Sequence, residues 1–202
     1  MARSKAKNVI PACVPTSPMV RGGVYVGVDQ SLTGTGVVIF DDQANLLEQK
    51  LISTKPGQVP MDEINRFISL FNQVHSTVVA VAAGRKVCAL MEDFAYSQPH
   101  QMAALGGLGW HFRIMMSRTD WHFGTCSTNI LKKVATGKGA VPKEQVILGV
   151  YKRWTFESSD NNIADAYVLG RLALTAYAKP SSGILGVRKD DLEAASKLTI
   201  YR

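Results

Sequence analysis

The chain has 202 residues, of which 46% are hydrophobic and 19% charged, as is typical of one globular domain with a real core. A net charge of +7 favours an anionic partner, nucleic acid above all, and no apolar run is long enough to span a bilayer. Three widely spaced cysteines exclude a zinc pattern and favour a reducing compartment.

Residues 1–21 contain four basic residues, three prolines and no acid, which predicts a disordered basic arm; a short organellar presequence is the alternative. The predicted folded domain covers 22–178. Its first half shows strand patterns at 24–30, 35–41 and 46–54, a helix that Pro60 opens over 60–83, and a central strand from Val87 to Met91 that ends at Glu92.

The second half begins with a predicted helix over 99–118, whose small residues indicate close packing against the sheet or against a second subunit. There follow a strand from Trp121 to Thr125, a short basic helix capped by Ser127-Thr128-Asn129, helices over 142–154 and 160–178, and a tail, 179–202, with a short helix at 189–198. This order predicts an α/β fold in which helices flank a mixed five-stranded sheet.

Three carboxylates occupy positions that such a fold can bring together. Asp29 lies in the first, buried strand, Glu92 ends the central strand, and Asp165 lies one turn into the last core helix, where it shares a face with Asn162. Each acid alone also fits a turn, a strand end or a helix terminus. Together they predict a site for divalent cations, which relieve the repulsion between carboxylates and promote phosphodiester hydrolysis.

The segment from Asn129 to Arg153 carries six basic residues against one acid, Glu144. The basic residues are Lys132, Lys133, Lys138, Lys143, Lys152 and Arg153. This excess predicts a surface that binds phosphates without reading sequence, although a solvated helix face is the ordinary alternative.

Four motifs together resemble the RuvC-type Holliday junction resolvases of the RNase H-like superfamily, in a phage-like form. They are Gly27 to Gly36 with its Gly/Ser/Thr turn, Met91-Glu92, the stretch from Ile130 to Val146, and Ala164-Asp165-Ala166. The similarity covers about 22–178. It implies an RNase H-like fold and a homodimeric, magnesium-dependent endonuclease that nicks opposing strands of a four-way DNA junction. Mn²⁺ is expected to substitute for Mg²⁺, and no membrane partner is expected.

The resemblance also implies site residues. Asp29, Glu92 and Asp165 would be metal ligands. Lys143 would lie near the scissile phosphate. The resolvases often have Asp or His at the position of Asn162. Either Asn162 therefore coordinates through its carbonyl, or Asp160 substitutes for it, or one metal is held more loosely.

DNA contacts are expected from lysines of the basic segment, named here as Lys132, Lys133, Lys138 and Lys143. An aromatic wedge follows the second acid in the resolvases, and Phe94 and Tyr96 are the candidates here, with a core position as the alternative for Phe94. The expected location is the cytoplasm of a bacterial or phage-infected cell, and an organelle stays open.

Three other functions fit parts of the sequence. A related nuclease could act on RNA or on other branched DNA. A non-catalytic DNA-binding relic is conceivable because Asn162 weakens the acidic centre. The turn from Gly27 to Gly36 also resembles the phosphate loop of actin-like sugar kinases, but those enzymes need two domains, and the basic segment has no role in them.

Overall fold

The computed structural model describes residues 18–94 and 102–201, and within these ranges the chain forms one mixed sheet with helices on both faces. The strands are β1 (Val24–Asp29), β2 (Gly34–Phe40), β3 (Leu46–Ser53), β4 (Val87–Glu92), β5 (His122–Cys126) and β6 (Thr199–Tyr201). The α-helices are α1 (Pro60–Ala82), α2 (Met102–Met116), α3 (Thr128–Thr136), α4 (Lys143–Trp154), α5 (Asn161–Ala178) and α6 (Lys189–Ala195). None of these helices is both long and apolar enough to cross a membrane.

The strand order is β3-β2-β1-β4-β5-β6. β1, β2 and β3 form an antiparallel meander, whereas β4 runs parallel to both β1 and β5. The predicted α/β class and the mixed sheet are therefore confirmed.

The prediction of five strands was wrong, because β6 adds a sixth at the edge of the sheet. This strand pairs antiparallel with β5, so that Ile200 lies opposite Gly124. β6 has three residues, too few to show an alternating pattern, and it lies in the segment that the sequence indicated as a tail. The short helix expected in that segment is α6.

Each face of the sheet has its own hydrophobic core. Val24, Val26 and Val28 of β1 pack with α1 and α2, whereas Tyr25 packs with α5 on the other face. Successive side chains of a strand point to opposite faces. Asp29 therefore shares the α5 face of the sheet with Tyr25, and the same alternation in β4 puts Glu92 on that face.

Two glycines let the backbone of α5 lie directly on the sheet. A Cβ on Gly27 in β1 would lie 1.9 Å from the carbonyl oxygen of Ala166, and one on Gly36 in β2 would lie 2.2 Å from that of Asn162. Such distances are far below van der Waals contact, so only glycine fits at either position. This close approach brings the first turns of α5, with Asp165, beside the end of β1.

We predict that Gly27→Ala destabilises the protein by at least about 2 kcal/mol, since the added methyl group must push α5 off the sheet. Gly106→Ala is the control, because a Cβ there meets nothing within 4 Å, and alanine should raise helix stability by about 0.5–1 kcal/mol. Urea denaturation of both variants measures the two effects. Equal stability of Gly27→Ala and wild type would contradict the proposed packing.

Candidate active site

The three predicted carboxylates converge on one open groove of about 730 Å³. Asp29 ends β1 and is only 5% exposed, Glu92 ends β4, and Asp165 lies in the second turn of α5. The groove is also bordered by Gln30, Thr128, Lys132, Lys143, Asp160 and Asn162. The fold thus assembles acids that are 63 or more positions apart in the chain from two strand ends and a helix, as the sequence predicted.

Burial and mutual repulsion make this cluster reluctant to carry its full negative charge. Burial, and then the neighbouring carboxylates of Glu92 and Asp165, raise the pKa of Asp29 well above its ordinary value. The same causes, burial and then Glu92, raise the pKa of Asp165 to about 7. Lys143 opposes both shifts, and Lys132 opposes the shift of Asp165. The nearby lysines thus compensate the acidic charge only in part.

Hydrogen bonds from two side chains hold Glu92. Its main-chain oxygen accepts a hydrogen bond of 2.8 Å from Nε2 of Gln30. Its carboxylate lies near Asp29 and contributes to the raised pKa of Asp29, and Oε1 accepts a hydrogen bond from the hydroxyl of Thr128. These contacts fix Glu92 at the groove, beside Asp29.

The donors of the groove suit a hard cation. Carboxylates and an amide supply only oxygen ligands on the side of the acids, a set that favours Mg²⁺ or Mn²⁺ over zinc. Within the described ranges, no three His, Cys, Asp or Glu side chains are already arranged around a common ion position. The uncompensated charge is what a divalent cation would neutralise.

The start of α5 places both candidates for the additional ligand at the groove. Oδ1 of Asp160 caps the helix by accepting hydrogen bonds from the backbone N–H groups of Asn162, at 2.8 Å, and Ile163, at 3.1 Å. Asn162 lies beside Gly34, where a Cβ would be 3.1 Å from its Nδ2. Asp160 thus has one oxygen committed to the cap and one left, so both residues stay candidates.

The predicted basic surface divides into two faces. Lys132 and Lys143 border the groove, and Nζ of Lys132 donates a 2.7 Å hydrogen bond to the carbonyl oxygen of Val141. Lys133 instead lies on the opposite side of α3, in a small cavity lined by α6 residues that include Glu193. Lys138 is exposed in the loop after α3 and does not border the groove.

Arg153, which the sequence counted with the basic surface, is buried. It forms an ion pair with Asp191 of α6, and the exposed fractions of the two side chains are 4% and 6%. Its Nη1 also donates to the carbonyl oxygen of Val134. Arg153 therefore joins α4 to α3 and α6 and is not available to DNA.

Phe94 lies just beyond Glu92 and packs against α2. The guanidinium carbon of Arg113 is 3.9 Å from the centre of its ring, and the ring of Trp110 is 5.6 Å away. The expectation for Tyr96 lies outside the described residues. Sequence reasoning missed Trp110, which is 59% exposed beside Phe94 and borders a cavity of about 220 Å³ next to the groove. The sequence signal that could have revealed Trp110 is a bulky aromatic side chain among the small residues of α2.

The raised pKa of Asp165 has a consequence for stability. Because this pKa is about 7 in the folded protein and 3.8 ordinarily, the folded state holds a proton that the unfolded state has lost between these pH values. The stabilisation is therefore present at low pH and is lost as the pH rises through 7.

We predict that Asp165→Asn raises Tm at pH 8 in the presence of a chelator by at least about 2 °C, the shift that ~1 kcal/mol produces in a domain of this size. The gain should shrink at pH 5.5, where Asp165 is already protonated. Differential scanning fluorimetry at both pH values is the measurement, with Asp120→Asn at an exposed position as the control. A lower Tm for Asp165→Asn at pH 8 would contradict the electrostatic account.

No family model and no curated protein sequence matches the chain. Solved structures of RuvC do match. A Thermus thermophilus RuvC structure is 20% identical with a TM-score of 0.60, and the match covers 76% of this chain and 95% of that one. T. thermophilus RuvC in complex with Holliday junction substrate gives the same identity and TM-score over 78% of this chain and 94% of the other. The chain therefore has the fold of RuvC, as the sequence motifs implied.

Proposed function

We propose that the protein is a metal-dependent endonuclease that cuts four-way DNA junctions. The observation that carries this proposal is the groove in which Asp29, Glu92 and Asp165, drawn from β1, β4 and α5, lie beside Lys132 and Lys143. Acids that hold a cation next to lysines that hold a phosphate suit phosphodiester hydrolysis. The fold shared with RuvC, one structure of which contains a Holliday junction, supports junction DNA as the substrate.

Each residue of the groove has a proposed task. Asp29, Glu92 and Asp165 would hold Mg²⁺, or Mn²⁺ in its place, with Asn162 or Asp160 as a further oxygen donor. Bound Mg²⁺ would supply an activated water and stabilise the leaving oxygen. Lys143 and Lys132 would orient the scissile phosphate and offset the charge that develops on it. Phe94, just beyond Glu92, would face the bases near the cut.

The test compares cleavage and binding of labelled four-way junctions. We expect Asp29→Asn and Glu92→Gln each to lower cleavage by at least about 10³-fold, because catalysis needs ionised ligands for the metal. Junction affinity measured without metal should be retained or should rise slightly, since each substitution removes a negative charge near the phosphates. Cleavage at more than a tenth of the wild-type rate would remove that residue from the site.

Lys133→Ala is the matched surface control, because Lys133 lies away from the groove. It should bind and cleave like wild type. Parallel reactions with three-way, duplex and single-stranded DNA and with RNA distinguish the alternatives. Preferential cleavage of one of these by wild type would favour a related nuclease over a junction resolvase, and binding of junctions without cleavage in Mg²⁺ or Mn²⁺ would favour a non-catalytic DNA-binding protein.

We also propose that the protein acts as a homodimer. A four-way junction has approximate twofold symmetry, and two symmetric cuts need two active sites, which a twofold dimer supplies. α2 offers a surface for this contact. It buries Leu108, Phe112 and Met116 in the core with α1 and the sheet, as expected for sheet packing. Its opposite face is exposed.

The exposed face of α2 presents a stripe at helical spacing that consists of Ala103, Gly107, Trp110 and Ile114. Ile64 and Ile68 of α1, one turn apart, are also exposed. They flank Phe67, which a Cβ on Gly107 would approach to 3.2 Å, so the two helices contribute to one surface. A small residue at position 107 would let a second copy approach closely. This stripe is the proposed dimer surface.

We expect wild type to sediment as a dimer at micromolar concentration, and Ile114→Asp to sediment as a monomer that is still folded, because Ile114 is 51% exposed in the single chain. Ile184→Asp, at another exposed position outside the stripe, should leave the dimer intact. Analytical ultracentrifugation with and without junction DNA is the measurement. A wild-type protein that is monomeric under both conditions would contradict the proposed dimer.

A further inference from the structure

Thr128 places a hydroxyl group against the acidic cluster. It is the first residue of α3 and is half-buried, and its Oγ1 donates a hydrogen bond to Oε1 of Glu92. Pairing of β4 with β5 brings Thr128 and Glu92 together. Glu92 is in register with Cys126 of β5, and the backbone N–H of Asp93 donates a 2.8 Å hydrogen bond to the carbonyl oxygen of Cys126. Thr128 follows two residues later.

The hydroxyl of Thr128 has no part in capping its own helix. Ser127 is the N-cap of α3, and its side chain accepts from the backbone N–H of Ile130. Within the described ranges, the side chain of Thr128 forms its hydrogen bond with Glu92 alone. The position at the start of α3 also suits a negative charge on Glu92, since helix N-termini carry a partial positive charge.

We propose that Thr128 is a positioning residue that orients the carboxylate of Glu92 for metal binding. The inference rests on the proposed metal site. The hydrogen bond occupies Oε1 from the side of α3, so that the carboxylate of Glu92, which borders the groove, cannot rotate freely. Mg²⁺ requires nearly ideal octahedral geometry, so a ligand that is fixed before binding raises affinity.

A second residue of α3 also acts on the acidic cluster, which supports a functional role for Thr128. Lys132 lies four residues after Thr128, on the same face of the helix, and both side chains border the groove. Lys132 lowers the pKa of Asp165, against the larger effect of burial. One helix face thus supplies a hydrogen bond to one acid and a positive charge to another.

The experiment removes the hydroxyl and keeps the branched shape. Thr128→Val should weaken Mg²⁺ binding, measured by isothermal titration calorimetry, by about 10–100-fold, the usual effect of losing a group that orients a metal ligand. The Mg²⁺ concentration for half-maximal junction cleavage should rise by a similar factor. The rate at saturating Mg²⁺ and the junction affinity without metal should stay close to wild type. Thr128→Ser, which restores the hydroxyl, should restore Mg²⁺ affinity.

Thr175→Val is the matched control, since Thr175 is also a helical threonine whose hydroxyl donates within the protein, to the carbonyl oxygen of Arg171 and away from the groove. It should leave Mg²⁺ affinity unchanged. Thr128→Ala provides a second variant without the hydroxyl if Thr128→Val proves poorly folded by its Tm. Wild-type Mg²⁺ affinity in a folded Thr128→Val or Thr128→Ala would overturn the inference and leave the proposed nuclease intact. Absence of Mg²⁺ binding in wild type would overturn both.

Discussion

The direct contact between the backbone of α5 and the sheet is the constraint on which the rest of the structure depends. Glycines at 27 and 36 remove the side chains that would otherwise hold the helix away from β1 and β2. α5 can then bury nearly all of its length, and its second turn brings Asp165 to the end of β1. The acidic centre is therefore a product of packing: the site exists because the helix sits lower on the sheet than ordinary side chains would permit.

The same packing creates an electrostatic cost. Asp29 is nearly buried and has two other carboxylates as neighbours, so its charged form lacks the solvation that water would provide. Lys143 and Lys132 offset part of this cost. The negative charge of the acidic cluster that remains uncompensated does not stabilise the fold. The proposed metal ion would neutralise it, and for this reason stability and metal binding should change in opposite directions when Asp165 is replaced.

The sequence predicted the elements well because their periodicities are strong and their ends are marked. Asp29 and Glu92 were found at strand ends because polar residues interrupt apolar runs there. β6 was missed since three residues carry no period. The sequence also could not predict that Lys132 faces the groove whereas its neighbour Lys133 faces α6. Nor could it predict that the side chain of Arg153 is buried with that of Asp191. These distinctions depend on the rotation of α3 and α4 about their axes, which α6 fixes from outside the region of the motifs.

α3 is a short, rigid helix that carries residues for both parts of the proposed chemistry, metal binding and phosphate binding. Its apolar residues Leu131, Val134 and Ala135 are buried in the core, and Gly137, with φ of 81°, ends the helix in a left-handed conformation. Because the inner face of α3 is packed in the core, Thr128 and Lys132 on its groove side can move only together. In the proposed nuclease, a phosphate bound by Lys132 would therefore act on the same rigid helix that holds Glu92 through Thr128. One helix would in this way set both the position of the DNA backbone and the orientation of a metal ligand, and so would relate substrate binding to the geometry of the acidic centre.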